Sequence, residues 1–166
     1  SFKNWQGMTQ SGGSRIKRAI NIDMASVRFC DEEMLDRFET ISLLTDYIRE
    51  KRVEIEESNT QRKIDVSDVA SGRRMTNLGV FRAYLQAYLK SHPKIHSDMT
   101  FLIRQLEPAP QGLPVELYVF TNDTDWVKYE AIQADIFDHI VAAVSLFDLA
   151  IFQQPSGTDI GKLNAR

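Results

Sequence analysis

The segment from Val115 to Phe147 changes its hydrophobic period part-way along, and this change limits the fold more than any other feature of the sequence. Its first residues, VELYVF, alternate between two sets of side chains, a period of two that is typical of a β-strand. Further on, apolar residues recur every three or four positions, which is the period of an α-helix. The members of that helical stripe are Ile132, Ile136, Ile140, Val144 and Phe147. The segment therefore predicts a strand followed by an amphipathic helix.

Three further stretches have the pattern of strands. RIKRAINIDM, from Arg15, alternates with its isoleucines on one side and predicts a first strand. MTFLIRQL and LPVELYVF are separated by the turn sequence EPAPQG, which predicts an antiparallel hairpin. After Asp148, the short apolar run LAIFQQP predicts a final strand.

Two more segments have helical periodicity. One long helix is predicted after Asp31, a suitable N-cap, with an apolar stripe through Met34, Phe38, Ile41, Ile48 and Ile55. A second, shorter helix is predicted in RRMTNLGVFRAYLQAYLKSHPK, starting near Thr76 or Asn77 and ending before Pro93. The polar stretch from Glu57 to Gly72 between them reads as an exposed loop.

The predicted order is strand, helix, extra helix, strand, strand, helix, strand. Without the extra helix this is the β-α-β-β-α-β pattern of a split βαβ, ferredoxin-like sandwich. We therefore expect an α+β fold with an inserted helical segment.

Composition excludes several classes of protein. The 166 residues carry a net charge of −3, which argues against a dedicated nucleic-acid binder. The single cysteine, Cys30, cannot form an intrachain disulfide and favours a reducing compartment. No apolar run approaches the roughly 20 residues of a membrane-spanning helix, and no signal peptide is evident. Because Phe2 and Trp5 are large apolar residues at the very start, we interpret the chain as a fragment of a longer protein.

The titratable residues give little indication of chemistry. Asp135, Asp138 and His139 are close in sequence and could form an acid/base set, but they lie away from the apolar stripe and are interpreted as its solvated face. His92 and His96 have a spacing that can hold a metal on a helix, but Pro93 interrupts that geometry. No catalytic, cofactor or metal site is expected.

Two basic clusters leave their interpretation open. Arg15, Lys17 and Arg18 form one, and Arg73 and Arg74 form the other. Such clusters can meet phosphate head groups or the acidic surface of a neighbouring subunit, and ordinary surface charge explains them equally well.

Five segments, taken in order, carry a family resemblance. They are SFKNWQGM, SGGSRIKRAINID, RRMTNLGVFRAYLQAYL, GLPVELYVFTN and YEAIQADIFDHIVAAV. Together they resemble the cytoplasmic part of MscS-like mechanosensitive ion channels, nearest to the bacterial MscM (miniconductance) branch. The resemblance covers nearly the whole chain.

The resemblance implies a domain organisation. Residues 1–14 are expected to be the C-terminal tail of the channel's middle β domain, and residues 15–157 its α/β cytoplasmic domain. Residues 57–97 are expected to be an insertion with an extra helix, and residues 158–166 a tail.

The resemblance also implies a function. The chain would be a non-catalytic part of the cytoplasmic vestibule of an osmotic-stress release channel in the bacterial inner membrane, with the pore helices lying outside it. Its partners would be its own subunits, typically in a ring of seven, together with the membrane and the permeating ions, and it would need no cofactor. The candidate residues for subunit contacts are Phe2, Trp5, Arg73, Arg74, Phe81, Tyr84 and Trp126. Because one fold hosts many functions, a ligand-binding regulatory module of a membrane protein is the alternative.

Overall fold

A computed structural model of the protein describes residues 14–164. The strands and helices are β1 (Arg15–Ile22), α1 (Glu32–Glu39), α2 (Thr45–Gln61), α3 (Asn77–Ser91), β2 (Leu102–Gln105), β3 (Leu113–Phe120), α4 (Trp126–Ala143) and α5 (Gly157–Asn164). Short 3-10 turns at Met24–Ser26 and Val144–Phe147 follow β1 and α4.

Within these residues the strands form one antiparallel sheet in the order β1-β3-β2. Lys17 of β1 and Leu102 of β2 both lie opposite Tyr118 of β3, which fixes the register on either side of the central strand. Since β1 and β2 each run antiparallel to β3, they run parallel to each other with β3 inserted between them. This is the split arrangement expected from the sequence, and the α+β class is confirmed.

The predicted fourth strand is wrong over most of its length. Residues 149–155 contribute one isolated antiparallel bridge, between Ile151 and Ile22 at the end of β1. The Phe152 N–H donates to the Asn21 carbonyl at 2.8 Å. Pro155 has no N–H to continue such pairing, and Gln153 and Gln154 before it are exposed, so the ladder stops after one bridge.

The single long helix predicted after Asp31 is also wrong, because the chain forms two helices, α1 and α2. Hydroxyl groups occupy the break: Thr40 Oγ1 donates to the Arg37 carbonyl at 2.6 Å and Thr45 Oγ1 to the Glu39 carbonyl at 2.7 Å. Such side-chain hydrogen bonds compete with the helical backbone ladder and favour a helix end. The N-terminus of α1 is as predicted, since Asp31 Oδ1 accepts from the Met34 N–H at 2.8 Å.

The helices bury their apolar stripes against one face of the sheet. Ile16 of β1, Leu117 of β3, and Phe81 and Leu85 of α3 are fully buried in this core. Phe147, just after α4, lies among Phe38, Phe81 and Tyr84, with ring-centroid distances of 5.3, 5.5 and 5.1 Å. One aromatic ring thus joins α1, α3 and the end of α4.

The predicted hairpin is confirmed, and so is the presence of a helix that begins near Thr76. Thr76 caps α3, with its hydroxyl accepting from the Gly79 N–H at 3.1 Å. In the hairpin turn, Gly112 has a φ of 102°, a backbone conformation that favours glycine. A Cβ added there would lie 2.7 Å from the Ile22 carbonyl oxygen, so the turn also packs too closely against β1 for a side chain.

Gly112→Ala should lower the free energy of unfolding by about 1–3 kcal/mol, because the variant combines backbone strain with a steric contact. Urea denaturation followed by circular dichroism measures the change. Gly161→Ala is the matched control, since a Cβ at that position of α5 meets nothing within 4 Å. Equal stability of the two variants would contradict the role given to Gly112.

Candidate functional site

A buried amide ties together the elements around the start of α3. Asn77 is fully buried at the first position of that helix. Its Oδ1 accepts from the Arg28 N–H at 2.9 Å, and its Nδ2 donates to the carbonyls of Ser26 at 3.0 Å and Asp148 at 3.4 Å. One side chain therefore holds the segment after β1 and the segment after α4 against α3.

Asp148 forms the second part of this junction. Its backbone is left-handed, with a φ of 55°, and its carboxylate accepts from Arg28 at 3.0 Å and from Arg37 of α1 at 2.5 Å. The hydrogen bond from Arg37, helped by Arg28, lowers the pKa of the Asp148 carboxyl below its usual range. The carboxylate thus stays ionised and fixes α1 to the chain that leaves α4.

Sequence reasoning did not identify this junction. From the sequence, Asn77 is predicted only as a possible helix cap, and Asp148 only precedes the predicted last strand. The partners of both side chains are dozens of residues away along the chain, so no local period or motif marks them. The sequence contains one indication of the junction. Asn77 directly follows the threonine cap, at a position where an apolar residue would extend the apolar stripe of α3.

Arg52 joins α1 to α2. Its guanidinium donates to Asp36 at 2.8 Å, Glu32 at 3.1 Å and Glu39 at 3.2 Å, all on α1. A planar donor with several N–H groups is suited to hold several carboxylates at once. The break between the two helices is therefore spanned by an ion-pair network.

The loop after α2 is anchored rather than free. The side chain of Asn59 makes two hydrogen bonds to the backbone of Arg73: its Oδ1 accepts from the N–H at 2.9 Å, and its Nδ2 donates to the carbonyl at 3.0 Å. The Arg73 guanidinium forms an ion pair with Glu54 of α2 at 2.9 Å. Gly72 lies so close to α2 that an added Cβ would be 2.8 Å from Ile64 and 3.0 Å from Asn59. These contacts hold the exposed loop predicted from the sequence against the end of α2.

A cavity of about 590 Å³ lies between this loop, α1 and α2. Arg52, Arg73, Arg74 and Cys30 are among its lining residues. The three guanidinium groups already have partners, because Arg74 Nη2 donates to the Val66 carbonyl while the other two pair with carboxylates. Burial raises the pKa of the Cys30 thiol to about 11, so the thiol is protonated at neutral pH and is a poor nucleophile.

The acid and histidine cluster of α4 does not form an acid/base set. Asp135 and Asp138 are exposed, while His139 turns towards α3. His139 Nε2 lies 2.7 Å from the Tyr84 hydroxyl, and its ring stacks on that of Tyr88 at 4.1 Å. The imidazole thus serves as a packing and hydrogen-bonding contact between α3 and α4.

The two histidines after α3 are separated in role. His92 is the C-cap, and its Nδ1 accepts from the Lys94 N–H at 3.0 Å, while burial lowers its pKa. The His96 backbone N–H donates to the Phe120 carbonyl at 2.7 Å.

In residues 14–164 no group of three or more His, Cys, Asp or Glu side chains is arranged to hold a metal ion. Nor does any helix in this range have both the length and the apolar character needed to cross a bilayer.

The residues predicted to contact other subunits fall into distinct environments. Phe2 and Trp5 lie outside the described residues. Phe81 is fully buried and Tyr84 is 6% exposed, so both belong to the subunit's own core. The other three are at the surface: Arg73 and Arg74 in the anchored loop, and Trp126, 71% exposed, at the start of α4.

Asn77→Ala should lower the free energy of unfolding by about 2–4 kcal/mol, because it leaves the Arg28 N–H and two carbonyls without their buried partner. Chemical denaturation measures the loss. Asn122→Ala is the control, since it removes an asparagine side chain that donates one exposed hydrogen bond, to the Pro93 carbonyl. A loss no larger than that of the control would contradict the central role of Asn77.

Asp148→Asn should destabilise the protein by about 1–2 kcal/mol at pH 7, because a charge-assisted contact is lost while the left-handed backbone remains acceptable to asparagine. The lowered folded-state pKa means that this stabilisation is present above the unfolded carboxyl pKa, near 3.9, and disappears as the pH falls through the folded value. The stability difference between wild type and variant should therefore shrink below about pH 4.

Unfolding free energies measured from pH 7 to pH 2.5 provide this comparison. Arg37→Gln should reproduce much of the loss, and the double variant should lose less than the sum of the two single changes. A difference that stays constant across the whole range would show that the carboxylate charge is not responsible.

One comparison with known proteins bears on identity. Residues 74–151 match the family model described as "Mechanosensitive ion channel MscS, C-terminal". The match begins just before Asn77 and ends just after Asp148, so it includes α3, the β2–β3 hairpin and α4. The matched family is a channel family and not an enzyme family. Residues 74–151 therefore form a domain of the kind found at the C-terminus of MscS mechanosensitive ion channels.

Proposed function

We propose that this chain is a cytoplasmic vestibule domain of an osmotic-stress release channel in the bacterial inner membrane. It helps to assemble the subunits and to shape the entrance for ions, and it performs no catalysis. The observation that carries this proposal is the family match, which includes α3, the β2–β3 hairpin and α4 together with Asn77 and Phe147 themselves. The matched region is thus the packed centre of the fold rather than a peripheral segment.

The packing of the domain is consistent with a rigid, non-catalytic part of the vestibule wall. One continuous core extends from Ile16 to Leu149, and within the described residues no buried side-chain nitrogen or oxygen lacks a hydrogen-bond partner. Such a core deforms little, because interiors are close-packed. Membrane tension opens a channel by favouring its open state, and in this proposal tension acts on membrane helices outside this chain.

The finer assignments rest on the sequence resemblance. They are the miniconductance branch, a ring of seven subunits, residues 1–14 as the tail of the middle β domain, residues 15–157 as the α/β domain, residues 57–97 as an insertion and residues 158–166 as a tail. In the structure α5 begins at Gly157, one residue before that last range, and continues to Asn164, with Ser156 Oγ donating to Asp159 Oδ2 at 2.9 Å across its first turn. Trp126, Arg73 and Arg74 are the candidates for subunit contacts that lie at the surface.

Removing the codons for residues 74–151 from the parent gene tests this function. In a bacterial host without its own release channels, the intact gene should protect cells against hypo-osmotic shock, and the deletion should abolish both protection and tension-activated current. Membrane abundance of the protein is measured in parallel, and the channel with Gly161→Ala serves as the control. A deleted channel that reaches the membrane, assembles and conducts like the intact one would refute the proposal.

The cavity beside the 62–76 loop supports a second candidate, a ligand-binding regulatory module. Its volume of about 590 Å³ is in the range of small-molecule sites. A thermal-shift screen of anionic metabolites tests this function, since a ligand that binds the folded state raises the melting temperature with concentration. The shift should disappear in Arg74→Ala. If no compound raises the melting temperature, the cavity is a packing gap under the loop.

A further inference from the structure

Helix α4 has an apolar stripe on its solvent side as well as on its core side. The core side includes Ile136 and Ile140, both fully buried. The residues on the opposite side, which we call the α4 outer face, are Val127, Ala131, Ala134, Asp138 and Val141, and all of them are exposed. Val127 is 76% exposed and Val141 49% exposed. A helix that is apolar on both sides is typical of one that is covered on both sides.

The sheet has a second surface, on the side away from the core. Because Ile16 and Ile20 point into the core, the alternate residues of β1 point outwards. The strand register places them in rows with β3 and β2, so that Lys17 lies beside Tyr118 and Leu102, and Ala19 beside Glu116 and Arg104. We call this surface the outer sheet face, and it includes Arg15 at the end of β1. Lys17, Ala19, Leu102 and Arg104 are all exposed.

The two faces have opposite charges. Asp138 lies within the α4 outer face and Glu130 borders it, so its charged groups are acidic. On the outer sheet face Arg104 forms an ion pair with Glu116 at 2.7 Å, so the charges of these two side chains cancel. The net positive charge of this face therefore comes from Lys17 and Arg15. The chain as a whole has a net charge of −3, so a positive sheet surface is not a reflection of its average composition.

The two faces also agree in size and shape. From Val127 to Val141 the helix advances about 21 Å, and from Arg15 to Asn21 the strand advances about 20 Å. Ala131 and Ala134 in the middle of the helix face allow close approach to a flat sheet, while Val127 and Val141 supply apolar contacts near its two ends. The two faces belong to opposite layers of the same subunit, so one face meets the other only in another copy.

We propose that the α4 outer face of one copy of this chain packs against the outer sheet face of a second copy, with Asp138 near Lys17. This contact is heterologous, joining two different surfaces, and repeated contacts of this kind form a ring when the rotation between copies closes and an open filament when it does not. The inference rests on the proposed function, for which it supplies a specific subunit contact. Trp126, next to Val127, lies at the edge of this contact.

A charge exchange tests the contact. The self-association of the 166-residue chain is measured by sedimentation equilibrium over a concentration series at low and at near-physiological salt. Asp138→Lys and Lys17→Glu should each weaken association at least about tenfold, since each places like charges together. The double variant restores opposite charges in exchanged positions and should recover most of the affinity. Glu50→Lys, which makes the same charge change at an exposed position of α2, should have no effect.

Three results would overturn the contact: a wild-type chain that stays monomeric at all concentrations, single variants that associate like wild type, or a double variant that is weaker than either single one. Circular dichroism and melting temperatures confirm that the variants, all at exposed positions, remain folded. The same substitutions in the intact channel separate the two proposals. If Asp138→Lys and Lys17→Glu channels assemble normally while deletion of 74–151 abolishes function, the contact is wrong and the vestibule function stands.

Discussion

The side-chain amide of Asn77 is the interaction on which the rest of this structure depends. Three segments that are distant in sequence meet at the start of α3, and none of them pairs with another as a regular strand. Their backbone groups are partly withdrawn from water at this junction, and a side chain supplies hydrogen-bond partners for them. An amide offers both an acceptor and donors in one plane, and Asn77 uses both kinds. A carboxylate of similar size could only accept, and an aliphatic side chain could neither accept nor donate.

The junction also explains why the fold is stable although the chain after α4 pairs with β1 through only one isolated bridge. In a complete split βαβ sandwich, pairing along the whole edge of β1 would fix the chain that leaves α4. Here that chain is fixed before it reaches the sheet, by the Asp148 ion pairs and by Phe147 in the core. One bridge at Ile151 is then enough to orient it along the end of β1. Side-chain contacts have replaced a row of backbone hydrogen bonds.

The elements that could be predicted are those that local sequence determines. The alternation in β1 and β3, the Pro/Gly turn between β2 and β3, and the threonine cap of α3 each depend on neighbouring residues, and each was located correctly. The break between α1 and α2 was missed because the apolar stripe continues across it: Phe38 and Ile48 are both buried, although they belong to different helices. The Asn77 junction was missed because its hydrogen-bond partners are distant in sequence and no hydrophobic period or motif connects them with Asn77. The likeness to a channel family was visible in the resemblance of whole segments, and no arrangement of titratable residues indicated it.

The order of the strands has a consequence for how copies of this chain meet. With β3 in the middle, β1 is an edge strand, and between Arg15 and Ala19 no other strand of the described residues pairs with its free side. Such an edge is a template for uncontrolled strand addition when many copies are held close together, as in a ring. Arg15, Lys17 and Arg18 place three cations along those five residues, and two edges approaching each other would bring six positive charges together. The three cations therefore oppose edge-to-edge pairing of two β1 strands, which is a common way for natural sheets to keep their edges from aggregating.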